Sequence, residues 1–456
     1  MRGDRPRETT ANNPLIEYYR CPAETAPIGT ADCGSTTAGY FTFGEAICFG
    51  RSVLDTPAGH VNGHVPDLAG RVAALPDGLR LPFDLTEVVD NLRYERYARP
   101  APTPLGWLSS SRAAHATYYF VRPALPIAVR KQLQKVRLSG WRDIAFPRWP
   151  VEASVDVLMR ETLRTVLRQR PGQAIPFIWF WPNGADGCVM MTHDVEGVSG
   201  AHFVPNLMDL DAAAGIPSSF QVVPEAPYTP RLVALCRQRG FEVNVHDLNH
   251  DGHLFRDKAT FDARIAEINR HAREFDSRGF RSGAMYRRQE WFSDFEFDFD
   301  MSVPAVAHFE PQQGGCCTVM PYFIGDVLEL PLTTTQDYQL FNFVGEYSIA
   351  LWEAQTEAIL SHHGLVSFIA HPDYLREPLA GGVYRQLLDY LTRIKTERNL
   401  WMAKPSEIDT WWRERRAMHL VQCEGEWRIE GPGSARACVA QARLDEGSLV
   451  YDRSHH

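Results

Sequence analysis

Two histidines, His246 and His250, stand four residues apart in HDLNH, directly after the apolar run FEVNV (241–245). On a helical turn that spacing puts both imidazoles on one face, close enough to share a cation. A second reactive stretch is CVMMTHDVEGVSG (188–200), in which a short apolar run leads into Asp194 and Glu196. Two residues apart on an extended chain, these carboxylates face the same way. Two imidazoles and one carboxylate make a three-ligand site with positions left open for water, which suits catalysis rather than structure. The other carboxylate is then free to take a proton. His193 has the opposite strand parity and reads as a satisfied core histidine.

Further polar groups end other apolar segments. His371, in SFIAHPD (367–373), has an ordinary pKa suited to protonating a leaving amine near neutrality. Arg281, in FRSG (280–283), suits holding a carboxylate base in its ionised form through a charged hydrogen bond. Asp300, in FDFDMSV (297–303), is expected either to orient His371 or to pair with Arg281, and Asp298, of the same parity, is its rival. Each residue also has a plainer explanation: a surface or capping histidine, an Asx-type turn, a core histidine, a structural salt bridge. The convergence of several such groups weighs more than any one of them.

These groups need elements to position them. From residue 188 onward, strand-like runs alternate with helical ones, and Gly215, Gly240, Gly279 and Gly364 close the helices. That alternation predicts a parallel β/α architecture, closed or nearly closed into a barrel, with reactive groups at the carboxyl ends of its strands. Before it, YFTFGEAICFGR (40–51) predicts two short strands around a turn, DLTEVVDNLRYERYA (84–98) a helix capped by Asp84, and SVDVLMRETLRTVLRQR (154–170) an amphipathic helix. RPALPIAVRKQLQKVRL (122–138) is basic and amphipathic, the composition of a core or membrane-surface helix. The tail from about 421 alternates apolar and polar residues around Gly turns, as a small antiparallel appendage would. The expected division is 1–185, a mixed α/β region, 186–415, the barrel, and 416–456, the β-rich appendage.

The chain has 456 residues, 44% of them hydrophobic and 23% charged, which is a soluble globular composition. Its formal charge of −9 argues against a nucleic-acid partner. No apolar run reaches the 18 residues of a membrane span, and MRGDRPRETTANNPL lacks the apolar core of a secretory signal, so a cytoplasmic location is expected. Nine cysteines without a CxxC pair fit reduced thiols better than a disulfide framework.

Taken in order, the motifs resemble the polysaccharide deacetylase, or NodB-homology, superfamily of carbohydrate esterases. Thr192-His193-Asp194-Val195-Glu196 stands where the family has TFDD, with changed spacing and Glu for Asp. His246 to His250 matches its H-S/T-x-x-H motif, with Asp247 in place of the hydroxyl residue. Arg281-Ser282-Gly283 is similar to its Arg-Ser/Pro-Pro motif, with Gly283 for proline, Asp300-Met301-Ser302 to its Asp-Ser motif, and Phe368-Ile369-Ala370-His371 to its closing His motif. WMAKPSEIDTWW (401–412) resembles the family's last strand and helix. The likeness covers about residues 186–415. It implies a distorted (β/α)7 barrel and a divalent metal, Zn²⁺ in many members and Fe, Co or Ni in others. It further implies Asp194 as base and Glu196, His246 and His250 as ligands, while leaving Asp194 open as a ligand itself. The implied reaction is metal-assisted hydrolysis of an amide, removal of an N-acetyl group from a sugar. Ring-opening of a cyclic imide or ureide on the same fold, and a catalytically silent carbohydrate-binding protein, are the alternatives.

Overall fold

The computed structural model describes residues 13–98, apart from 26, 32, 33, 35, 63, 76 and 77, and residues 140–453. The basic stretch 122–138 lies outside the described residues. The described residues form two compact units, one within 94–153 and 185–412, the other within 1–93, 154–184 and 413–456.

The first unit contains a distorted (β/α)7 barrel. Its parallel strands are β1 (Gly187–Val195), β2 (Ser218–Val222), β3 (Glu242–His246), β4 (Gly279–Arg281), β5 (Phe299–Asp300), β6 (Val327–Glu329) and β7 (Leu365–Ile369). Their order in the sheet is β6-β5-β4-β3-β2-β1-β7, and a further strand, β8 (Leu400–Met402), pairs with the start of β1. All nine residues of β1 are buried, as expected of a parallel strand covered on both faces. The covering helices are α1 (Val198–Ala213), α2 (Thr229–Arg239), α3 (Lys258–Glu274), α4 (Ala350–Leu360) and α5 (Pro378–Glu397). Helix α2 ends at Gly240, whose φ of 76° is the left-handed conformation that a helix stop of this kind uses. Asp257 starts α3, its side chain accepting from the Thr260 amide.

The barrel is uneven. Between β4 and β5 the regular elements are two short 3₁₀ turns, Gly283–Met285 and Gln289–Asp294, in place of a covering helix. Tyr322–Ile324 runs antiparallel to β6 at the end of the sheet. Among the described residues, no backbone ladder joins β6 to β7. Instead, Thr333 Oγ1 donates to Leu365 O at 2.7 Å and accepts from Ser367 N at 2.9 Å, and Thr334 Oγ1 donates to Ser367 O at 2.7 Å. Leu365 N donates to Val319 O at 2.8 Å.

Two apolar layers hold the strands. Val189, Met191, Phe220 and Val222 pack with Leu207, Leu232, Leu387 and Leu391 of the helices. Farther round, Val245 and Phe280 meet a cluster of rings that includes Phe261, Phe292 and Phe295, with Phe280 and Phe295 centred 4.5 Å apart. Each fully buried side chain of this size contributes roughly 1.5–3 kcal/mol.

In the second unit, the helix Ser154–Arg168 and the hairpin Gly39–Phe43 and Ala46–Gly50 form where expected. So does the helix Leu85–Arg93, where Asp84 Oδ1 accepts from the Glu87 amide at 3.0 Å. The tail forms two hairpins, His419–Cys423 with Glu426–Glu430 and Val439–Asp445 with Ser448–Arg453. Val439–Asp445 also pairs with Ile175–Ile178. Tyr451 Oη lies 2.7 Å from Tyr19 Oη, and buried Arg415 donates to the carbonyls of Tyr18, Ile178 and Trp179. No helix among the described residues is long and apolar enough to cross a membrane.

Candidate functional site

The polar groups gather at the carboxyl ends of β1, β3, β4 and β7. Asp194 is the penultimate residue of β1, and Glu196 follows that strand. His246 ends β3, and parallel pairing places it beside Arg281, the last residue of β4. His250 lies on a bend rather than a helix, with Asp247 and His250 at φ 56° and 59°. The four-residue spacing thus works through two left-handed residues, which bring the two imidazole centres to 4.8 Å from each other. His371 stands just beyond β7, ahead of the short helix Pro372–Leu375.

Glu196 Oε1 is the meeting point. It lies 3.0 Å from His250 Nε2, 3.5 Å from His246 Nε2 and 3.6 Å from His371 Nε2. Asp194 Oδ2 lies 3.8 Å from His246 Nε2. The Nε2 atoms of His246 and His250 are buried with no partner in hydrogen-bond geometry. Two buried imidazole nitrogens close to one carboxylate oxygen, neither in hydrogen-bond geometry with a partner, fit a divalent cation. The candidate ligand atoms of Glu196, His246 and His250 lie within 4.8 Å of one another, as do those of Asp194, Glu196 and His371. Imidazole and carboxylate donors do not distinguish Zn²⁺ from Fe, Co or Ni.

The carboxylates are held ionised. Burial opposes charge on Asp194, but Arg281 Nη1 donates to its Oδ1 at 2.6 Å, and this cation with His246 and His371 keeps the carboxyl below its usual range. Arg281 is itself fully buried, donating also to Thr192 Oγ1 at 2.8 Å and to Met301 O at 3.1 Å. Crowding by the site likewise opposes charge on Glu196, whose side chain is 35% exposed, yet His250, His246 and His371 hold its pKa far below the ordinary value. His250 moves the other way. Burial works against protonating His250, but Glu196, Asp247 and Asp194 raise it to about 9.

His371 has a partner that motif spacing does not reveal. Asp337 Oδ1 lies 2.6 Å from its Nδ1, and Asp337 Oδ2 accepts from its backbone N at 2.7 Å. Against the effect of burial, Asp337 followed by Glu196 and Asp194 raises His371 to about 10. Tyr338 and Tyr374 set their rings edge-on to the imidazole, 5.6 and 5.8 Å away.

Asp300 stands apart. Its carboxylate accepts from Ser302 N at 2.9 Å and Ser302 Oγ at 2.8 Å, and hydrogen-bonds neither His371 nor Arg281. In register it pairs with Phe280 and Glu329, so parity turns it to the face opposite Arg281. The orienting role expected of Asp300 is filled geometrically by Asp337. Asp298 ion-pairs with Arg278 at 2.7 Å. His193 faces away from the site, with Nδ1 3.0 Å from Ala370 O and Nε2 2.8 Å from Asp211 Oδ2.

No family model and no curated protein matches the chain. Among solved structures, it superposes on a Mycobacterium smegmatis protein assigned to the polysaccharide deacetylases, at 18% identity and a TM-score of 0.44, over 55% of this chain and 98% of that one. Puue allantoinase aligns at 14% identity and a TM-score of 0.41, over 51% and 92%. A mutant form of the peptidoglycan deacetylase PdaC from Bacillus subtilis aligns at 12% and 0.32, over 51% and 94%. At such identities and scores, no residue role passes from these proteins to this chain.

Proposed function

We propose that the chain is a metal-dependent hydrolase of amide C–N bonds that removes the N-acetyl group from a sugar or glycan precursor. The observation that carries this reading is the meeting of three imidazoles and two carboxylates around Glu196 Oε1 at the mouth of the barrel. Glu196, His246 and His250 would hold the metal. When bound, it would supply a Lewis acid for the acyl oxygen and favour ionisation of water.

The remaining chemistry belongs to the chain. Arg281 neutralises one oxygen of Asp194 and fixes its direction, leaving Oδ2 facing the imidazoles. An ionised carboxylate in that position suits a general base, taking a proton from the attacking water. His371 keeps its proton through neutrality and presents Nε2 to the site while Nδ1 is occupied by Asp337, as a general acid for the departing amine requires. The choice of a sugar substrate rests on the resemblance of the ordered motifs to the polysaccharide deacetylases.

The test combines metal content with acetate release from N-acetylated sugars, with and without chelator. A His246→Ala, His250→Ala double variant is expected to lose the bound ion. Asp194→Asn is expected to keep it while kcat falls by roughly 10²–10⁴. Unchanged metal content in the double variant would refute the site, and ring-opening of a cyclic imide with no acetate released from an N-acetyl sugar would refute the substrate.

A further inference from the structure

The loop that carries Glu196 and the loop that carries His371 are joined by one side chain. Helix α1 begins at Val198, and its N-cap residue is Gly197, which has no side chain to accept from the first-turn amides. A helix start leaves several N–H groups without partners. Asp373, two residues beyond His371, supplies the acceptor: its Oδ1 takes the Gly200 amide proton at 2.9 Å. Its negative charge also sits where the helix dipole is positive.

The sequence makes room for this carboxylate on both sides. A Cβ at Gly197 would stand 2.7 Å from Asp373 Oδ1. At Gly200 it would run into Oδ2 and lie 2.7 Å from Cγ. Neither glycine has a positive φ, so it is the close approach of Asp373, not backbone conformation, that excludes a side chain. Asp373 Oδ2 is itself buried without a hydrogen-bond partner. The small residues of EGVSG are thus shaped to a group 173 positions away.

We propose that Asp373 is a positioning residue that locks the Glu196 loop to the His371 loop, setting the distance between the metal-holding carboxylate and the general acid. This rests on the function proposed above. The lock acts through α1: losing the Gly200–Asp373 bond frees the chain between β1 and the helix, and Glu196 lies in that chain.

A double-mutant cycle tests it on the full chain, with Co²⁺ as the probe. Asp373→Ala is expected to weaken Co²⁺ binding about tenfold and to lower kcat with little change in KM, the scale seen when a group supporting a ligand is removed. Gly200→Ala is expected to do the same by pushing the carboxylate out. With both changes, affinity is expected to be no worse than for Asp373→Ala alone, because the added methyl group occupies vacated space. Asp373→Asn, which keeps the acceptor oxygen, is expected to restore most of the affinity. Additive losses in the double variant, or wild-type affinity and kcat in a folded Asp373→Ala, would overturn the proposal. Were the wild-type chain to bind no divalent ion, the metal reading would fall, and the same cycle read in thermal midpoints would still decide whether the lock exists.

Discussion

His371 and Asp337 form the most informative pair at the scale of residues. Asp337 contacts both the ring and the backbone N of His371, so it fixes tautomer and direction together. An Asp337→Asn variant removes the leading interaction that raises His371. In its proposed role of general acid His371 must hold its proton, and its raised pKa keeps it protonated into the alkaline range. The alkaline limb of the pH–rate profile is therefore expected to move to lower pH in the variant, with kcat at neutrality down by about 10². An unmoved limb would separate Asp337 from the acid's function. Asp194, Glu196, His246 and His371 are legible in the sequence because they follow apolar runs that become strands whose ends meet, His250 through its spacing from His246, and Arg281 through its place in a short extended piece. Asp337 is not, since TTTQDYQ follows β6 without periodicity or motif. Asp300 misleads for a related reason: Asp298 and Asp300 share parity, but only a register against Phe280 tells which face that parity means.

At the scale of elements, the long periodic pieces are readable with their bounds, while the short extended pieces FRSG and FDFDMSV mark strands without fixing where they start and stop. Strands β1, β2, β3 and β7 and helix α2 match their sequence patterns to within a few residues, whereas α3 stops at Glu274 and Gly279, expected to close it, opens β4. Strands β4 and β5 have three and two residues, too few for a period, and they pair in parallel with each other and with β3 and β6. Gly279 opens β4 where a Cβ would run into the Phe299 ring and stand 2.7 Å from Asn244 Oδ1. Gly279→Ala is expected to lower stability by about 1–3 kcal/mol, the usual cost of overpacking, measured by denaturant unfolding. A smaller loss would mean that β5 shifts easily, which would loosen the Met301 carbonyl that holds Arg281. The 246–250 pair is the reverse case: the helical geometry assumed for it is absent, yet two left-handed residues bring the rings together.

For the whole molecule, composition marks the tail as β-rich but does not supply its partner, because strand pairing across more than 250 residues leaves no local trace. Val439–Asp445 hydrogen-bonds with Ile175–Ile178, and Tyr451 meets Tyr19. A chain ending at residue 436 is therefore expected to show a lower thermal midpoint and greater aggregation than the full chain, through exposure of a bare strand edge. An unchanged midpoint would mark the last hairpin as dispensable. The β7 side of the barrel handles the same hazard differently. There the amide and carbonyl groups of Leu365 and Ser367 are all engaged, by Val319 O and two threonine hydroxyls. Hydroxyls cannot be extended as a template in the way that a backbone can. Where the circle of strands breaks at β7, the described residues offer foreign chains no row of free groups to copy, so this side of the gap beside His371 is not adhesive.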